Sequence, residues 1–186
     1  MTVPDFAYAP MQWRTVEAFR AHLRKHNPNV VPWAQGIVLH HTASPVPSTW
    51  KGLESIESLA RFYRFHHKWS AGPHLFICAG SPNPANDGIF QLTPLNLVGV
   101  HARECNSTTW GIEVVGNYSS QPWSDATTSL VIGAVHELMS WKGITPNRQT
   151  LLYHRECVPD TSCPGQAIVD RFNWVLDGVQ WRMRRA

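Results

Sequence analysis

Gly36–His41 reads GIVLHH and runs directly into Thr42, Ala43, Ser44 and Pro45. A short, β-branched, apolar run stopped by Thr, Ser and Pro is the pattern of a buried strand that opens into a loop. Strand side chains alternate between two faces, so His40 and His41 at its end point opposite ways, and only one of them can serve a given site. Before this strand, Val16, Phe19 and Leu23 recur at helical spacing between Arg14 and His26, and Asn27 with Pro28 supplies a stop, which predicts a first helix. After it, Ile56, Leu59, Ala60 and Tyr63 mark a second helix within Leu53 to Trp69, closing onto a turn from Ser70 to Pro73. His74 to Cys78 reads as a strand, SPNPANDG from Ser81 to Gly88 as a hairpin loop, and Ile89 to Leu92 as the return strand. A further strand is predicted from Trp110 to Val115. Ser124 then caps a long helix whose buried face is Val131, Ala134, Val135, Leu138 and Met139, ending near Gly143. Leu151 to Tyr153 is a brief strand leading to His154, and Pro164 is placed in the first turn of a last helix that buries Ile168, Phe172, Val175 and Val179. Strands interleaved with helices predict an α/β class, and the hairpin within the series predicts a mixed sheet.

With 186 residues, 43% of them apolar, the chain suits one ordinary globular domain with a core large enough to be stable. The formal charge of +3 favours an anionic partner such as a cell wall. Nucleic acid is not indicated, because the basic residues are dispersed except for Arg182, Arg184 and Arg185, which read as a solvated helix end. The start MTVPDFAYAP lacks both a basic opening and a continuous apolar stretch, so it does not read as a secretory signal. No segment approaches a membrane span. Without a signal, Cys78, Cys105, Cys157 and Cys163 are expected to stay mostly reduced, leaving at least one thiol free to bind metal.

Three residues concentrate the chemistry. His40 closes an apolar strand, His154 follows another, and Cys163 comes nine positions later in HRECVPDTSCPG. Two imidazoles and a thiolate suit a tetrahedral Zn²⁺ that keeps its fourth position open. A purely structural zinc would want a fourth ligand and often paired CxxC motifs, which are lacking here.

The segments IVLHHTAS, AGPHLFI, GVHA, WGIEVVGN and YHREC with TSCPG, in that order, resemble the type 2 N-acetylmuramoyl-L-alanine amidase family. That family takes in phage lysozyme-type amidases, bacterial recycling amidases and the animal peptidoglycan recognition proteins. The resemblance covers roughly Gly36 to Trp174 and implies one α/β domain, a central mixed sheet flanked by helices. Residues 36–186 would be the catalytic domain, with 1–35 an N-terminal helical extension packed on it. It also implies one zinc per chain on His40, His154 and Cys163, and hydrolysis of the amide between N-acetylmuramic acid and L-alanine in bacterial peptidoglycan. Zinc-bound water would be the nucleophile and Glu113 the general base and acid.

Two departures from the family pattern matter. Pro73 stands where phage lysozyme-type members carry a tyrosine, and Thr161 where several members carry a lysine that polarises the scissile carbonyl. Both shift the weight of catalysis onto Glu113, with Thr161 adding an uncharged hydrogen bond to the oxyanion. The resemblance implies a place in the substrate groove for His101, and more weakly for His74 and Asn117, and Trp50 or Trp69 is a candidate to stack on sugar rings. The expected protein is a monomer, with no stable membrane insertion. It is cytoplasmic when made, and acts on the wall after release if it is a phage or prophage endolysin. Two rival readings remain: a non-catalytic peptidoglycan-binding module of the same fold, and a thiol hydrolase pairing Cys163 with His154.

Overall fold

The structure, a computed structural model, describes residues 5–185. Part of the reading of the N-terminus rests on residues 1–4, which lie outside the described residues. In chain order the main elements are β1 (Met11–Trp13), α1 (Val16–Leu23), β2 (Gly36–His41), α2 (Leu53–Arg61), β3 (Leu75–Cys78), β4 (Gly88–Gln91), β5 (Thr109–Val114), α3 (Asp125–Lys142), β6 (Leu151–Tyr153), α4 (His154–Cys157) and α5 (Gln166–Met183). The six strands form one sheet in the order β1-β4-β3-β5-β2-β6. β3, β5, β2 and β6 run parallel to one another, while β4 is antiparallel to both β3 and β1, so the sheet is mixed as expected.

Strand alternation splits the interior in two. Ile37, Leu39, Leu75, Ile77, Ile112 and Val114 belong to a large core that includes Phe19 and Leu23 of α1, Val131, Val135 and Leu138 of α3, and Phe172, Val175 and Val179 of α5. Each such side chain, fully withdrawn from water, contributes about 1.5–3 kcal/mol. Arg20 of α1 adds a bidentate ion pair to the buried Glu137 of α3, at 2.8 and 2.7 Å. The opposite face carries two smaller clusters. Phe76, Cys78, Phe90 and Val115 pack with Ile56 and Ala60 of α2, and Val38 packs with Ala102 and Cys157. Between these clusters lie His40 and Glu113.

The helix caps follow the sequence. Ser124 accepts from the Thr127 amide at the start of α3, and Gly143 ends that helix in the left-handed region. Elsewhere the structure corrects the reading. Met11–Trp13, too short to show a period, becomes the edge strand β1 through pairing with β4, and α1 packs on α3, so these residues enter the same sheet and core. The second helix is α-helical only to Arg61 and widens to a π-helix over Phe62–His67. The last helix begins at Gln166, after Gly165 rather than at Pro164. Gly165 has φ +86° and lies against the backbone of Tyr118 and Ser119, where no Cβ would fit. Trp50, a candidate to stack on sugar, is 2% exposed and packs against Phe76 and Phe90 in the core. No helix among the described residues is long and apolar enough to cross a membrane.

Candidate active site

β2, β5 and β6 are adjacent and parallel, so their carboxyl ends open at one edge of the sheet, the usual place for a ligand in α/β folds. His40 is in register with Glu113 across β2 and β5, and Glu113 with Phe76 across β5 and β3, which turns all three to one face. His154 opens α4 immediately after β6. Cys163 arrives on the loop beyond α4, held by Arg155, which donates to the Ser162 carbonyl at 3.0 Å and to Gln166 at 3.2 Å. His40, His154 and Cys163 thus converge, their ligand atoms all within 4.8 Å of one another. His41 points the other way, its Nδ1 accepting from the Tyr118 amide at 3.1 Å, while its own backbone N–H donates to the Cys163 sulfur at 3.4 Å.

Hydrogen bonding fixes which nitrogen of His40 faces this cluster unprotonated. His101 Nε2 lies 3.0 Å from the Thr109 carbonyl, which can only accept, so that nitrogen carries the proton. Burial first of all lowers His101 to about 4, so the ring is neutral and its Nδ1 is an acceptor. His40 Nε2, 3.1 Å from that Nδ1, must donate to it. His40 is itself held well below the usual histidine range, by burial first and then by His101, His154 and His41. The unprotonated Nδ1 of His40 therefore faces His154 Nδ1 at 3.1 Å and Cys163 Sγ at 3.7 Å as an acceptor. Such an arrangement is satisfied by a shared cation, and a His ligand whose far nitrogen is anchored by a hydrogen bond is the usual form of a metal site. The relay requires a glycine beneath it, because a side chain at Gly111 would run into the His101 ring.

Glu113 is 8% exposed, with Oε1 4.0 Å from His40 Nδ1 and a buried Oε2 that has no hydrogen-bond partner. Burial raises its carboxyl to about 8. Burial, and then the Glu113 charge, also push the Cys163 thiol well above the ordinary range. Thr161 is half-buried beside Cys163, its oxygen accepting from the Cys163 amide at 3.2 Å, which leaves its O–H free to donate. The other predicted residues are placed differently. His74 is fully buried with both ring nitrogens engaged, one by the Gly111 amide and one by the Leu97 carbonyl. Asn117 caps a turn through its Oδ1 and the Ser119 amide. Trp69 is half-buried and stacked on Tyr63 and His67.

Sequence reading missed two features here. Tyr63, read as one apolar position of a helix, lies where that helix has widened to a π-helix, its phenol pushed well above the ordinary range by burial first and then by the Glu113 and Cys163 charges. The dense aromatic run FYRFHHKW was its only signal. The expectation of mostly reduced thiols also fails for one pair: Cys105 and Cys157, 52 residues apart, form a disulfide, while Cys78 and Cys163 are free. Their spacing carries no pairing signal, because only the fold brings the two together. The bridge ties the loop after His101 to the helix that begins with His154. Replacing both cysteines with alanine is expected to lower the unfolding free energy by about 4 kcal/mol, from the loop it releases. Denaturant titration measures this, and an unchanged midpoint would show that the bridge carries no such constraint.

This mixed sheet, with its site at the ends of the parallel strands, is the fold of type 2 amidases and peptidoglycan recognition proteins. The chain superposes on the N-acetylmuramoyl-L-alanine amidase LysC from Clostridium intestinale URNW with a TM-score of 0.58 and 25% identity, covering 77% of this chain and 83% of that one. It superposes on Drosophila PGRP-LB with a TM-score of 0.63 at 18% identity, covering 91% and 87%, a likeness of fold alone. The chain belongs to the N-acetylmuramoyl-L-alanine amidase family, which it matches over residues 8–166. A mouse N-acetylmuramoyl-L-alanine amidase is 29% identical over 136 residues, 71% of this chain but only 24% of the mouse protein's length.

Proposed function

We propose that the chain is a zinc-dependent amidase that hydrolyses the bond between N-acetylmuramic acid and L-alanine in bacterial peptidoglycan. The observation that carries this reading is the convergence of the unprotonated His40 Nδ1 with His154 Nδ1 and Cys163 Sγ, beside a buried carboxyl without a full set of partners. Two imidazoles and a thiolate, with their outer hydrogen bonds already made, fit Zn²⁺ and leave one position open. Bound there, zinc would supply a Lewis acid and make water acidic enough to attack an amide.

The residues of the chain do the rest. Glu113, its carboxyl raised toward neutrality by burial, takes a proton from the attacking water on its unpartnered oxygen and returns it to the leaving alanine nitrogen. Thr161 donates its free O–H to the carbonyl oxygen as that oxygen gains charge. His101 keeps His40 in the tautomer that offers Nδ1, and Arg155 holds the Cys163 loop against α4. The thiol-hydrolase alternative fits poorly, because burial keeps the Cys163 sulfur protonated at neutral pH and a thiol is a weak nucleophile.

Incubation with intact, purified sacculi is expected to release new alanine amino termini and no new reducing sugar. Cleavage of a glycosidic bond, or amino termini other than alanine, would contradict the assignment of the bond. Binding without any release would favour a recognition module.

A further inference from the structure

We propose that Cys105 and Cys157 are positioning residues for the metal site, and that their disulfide makes metal affinity depend on redox state, high with the bridge closed and low with it open. The proposal rests on the metal site of the amidase reading above. It concerns how firmly the chain holds the metal, not the chemistry done there.

The two sulfurs end the two segments that flank the cluster. On one side is α4, four residues long, with His154 as its first residue and Cys157 as its last. A single turn cannot hold itself, so its place is set by what it is tied to. The Val158 amide closes the turn on the His154 carbonyl at 2.9 Å, and Glu156 accepts from the Tyr153 amide at 3.0 Å and pairs with Arg148. On its inner side α4 meets the sheet through Cys157, in an apolar cluster of only Val38, Ala102 and Cys157 with Cys105, Leu152 and Val158 at its margin. Little besides the bridge fastens that side.

On the other side is the loop from His101 to Thr109. The Cys105 carbonyl accepts from the Thr109 amide at 3.0 Å and the Thr109 hydroxyl at 2.7 Å. The Thr109 carbonyl in turn accepts from His101 Nε2 at 3.0 Å, and His101 Nδ1 accepts from His40. Asn106, next to Cys105, accepts from the His101 and Ala102 amides at 2.9 and 2.8 Å. A closed circuit results. It runs from Cys157 along α4 to His154, across 3.1 Å to His40, on to His101 and Thr109, and back to Cys105. The disulfide is the covalent cross-link in that circuit, and opening it frees the ligand His154 to move relative to the group that anchors the ligand His40.

Cys157 is 6% exposed, whereas Cys105 is half-buried and follows the exposed Arg103 and Glu104, so Cys105 is the more open to attack. A low-molecular-weight thiolate attacks Cys105 Sγ, the S–S bond breaks, and Cys157 leaves and takes a proton. A second thiolate displaces the first, which yields two protein thiols and one small oxidised disulfide. In thiol-rich surroundings the chain holds metal loosely, and in oxidising ones tightly.

Changes to groups that orient metal ligands cost about 10–100-fold in affinity. Competition against a chromophoric chelator is expected to show zinc bound about 10–100-fold more weakly by the phosphine-reduced native chain and by Cys105→Ala/Cys157→Ala than by the oxidised chain. Reoxidation should restore the native value, and phosphine should leave the double variant unchanged. The readings are taken at a temperature where circular dichroism shows each form folded, because a lower Tm alone does not alter the affinity of molecules that remain folded. If the double variant fails to fold, reduced against reoxidised native chain decides. Zinc affinity within about twofold in the oxidised and bridge-free forms, with only Tm lowered, overturns the proposal and leaves the amidase reading standing. An oxidised native chain that binds no zinc overturns both.

Discussion

Glu113→Ala is expected to slow amide cleavage by about 10²–10⁴-fold while the protein still binds its metal and stays folded. Most active-site substitutions confound chemistry with stability, but Glu113 separates them. It contributes to no network that holds the fold together: Oε2 is buried without a partner, and Oε1 comes no closer than 4.0 Å to His40. A carboxyl in that position costs the folded state free energy, which is why burial drives its proton affinity up to about 8. Its removal should therefore leave Tm unchanged or raised, the sign expected for a group kept for reactivity. Release of alanine amino termini from sacculi, followed beside zinc content and thermal unfolding, checks each part. A variant that cleaves as fast as the native chain would remove Glu113 from the mechanism.

Cys163→Ala should have the second large effect, through metal affinity. Changes to groups that merely orient metal ligands cost about 10–100-fold in affinity, so loss of the thiolate itself should exceed about 100-fold. The sulfur is placed with care: it is reached by the His41 amide at 3.4 Å, and Arg155 fixes the preceding carbonyl. Burial makes its proton hard to remove, so zinc must displace that proton on binding, and affinity should rise with pH for as long as the thiol is protonated in the free protein. Competition against a chromophoric chelator measures both effects. Cys163→Asp should recover part of the affinity, since a carboxylate can also ligate zinc, whereas an alanine variant that binds as tightly as the native chain would exclude Cys163 as a ligand.

Much of this was legible from particular residues. GIVLHH announces a buried strand, and its alternation separates His40 from His41, because a period of two leaves no other choice. The caps at Ser124 and Gly143 are local chemistry and fall where the sequence puts them. What escaped depends on contacts distant in sequence. Three residues at Met11–Trp13 become a strand only because β4 offers them an edge. Cys105 meets Cys157, and His101 meets both His40 and the Thr109 carbonyl, through loops whose courses have no period. Tyr63 escaped for a different reason. Helical spacing explained it as core, and nothing in that spacing shows that the helix loosens one residue earlier.

The central claim is that hydrolysis depends on a metal held by His40, His154 and Cys163. The most direct measurement is zinc per chain and alanine release from sacculi on the same sample, taken as purified, after stripping with a chelator, and after zinc is restored. The predicted result is close to one zinc per chain, activity lost on stripping, and activity regained in proportion to the zinc taken up. Cleavage that persists in the stripped protein, or a full complement of zinc with no cleavage at all, would contradict it.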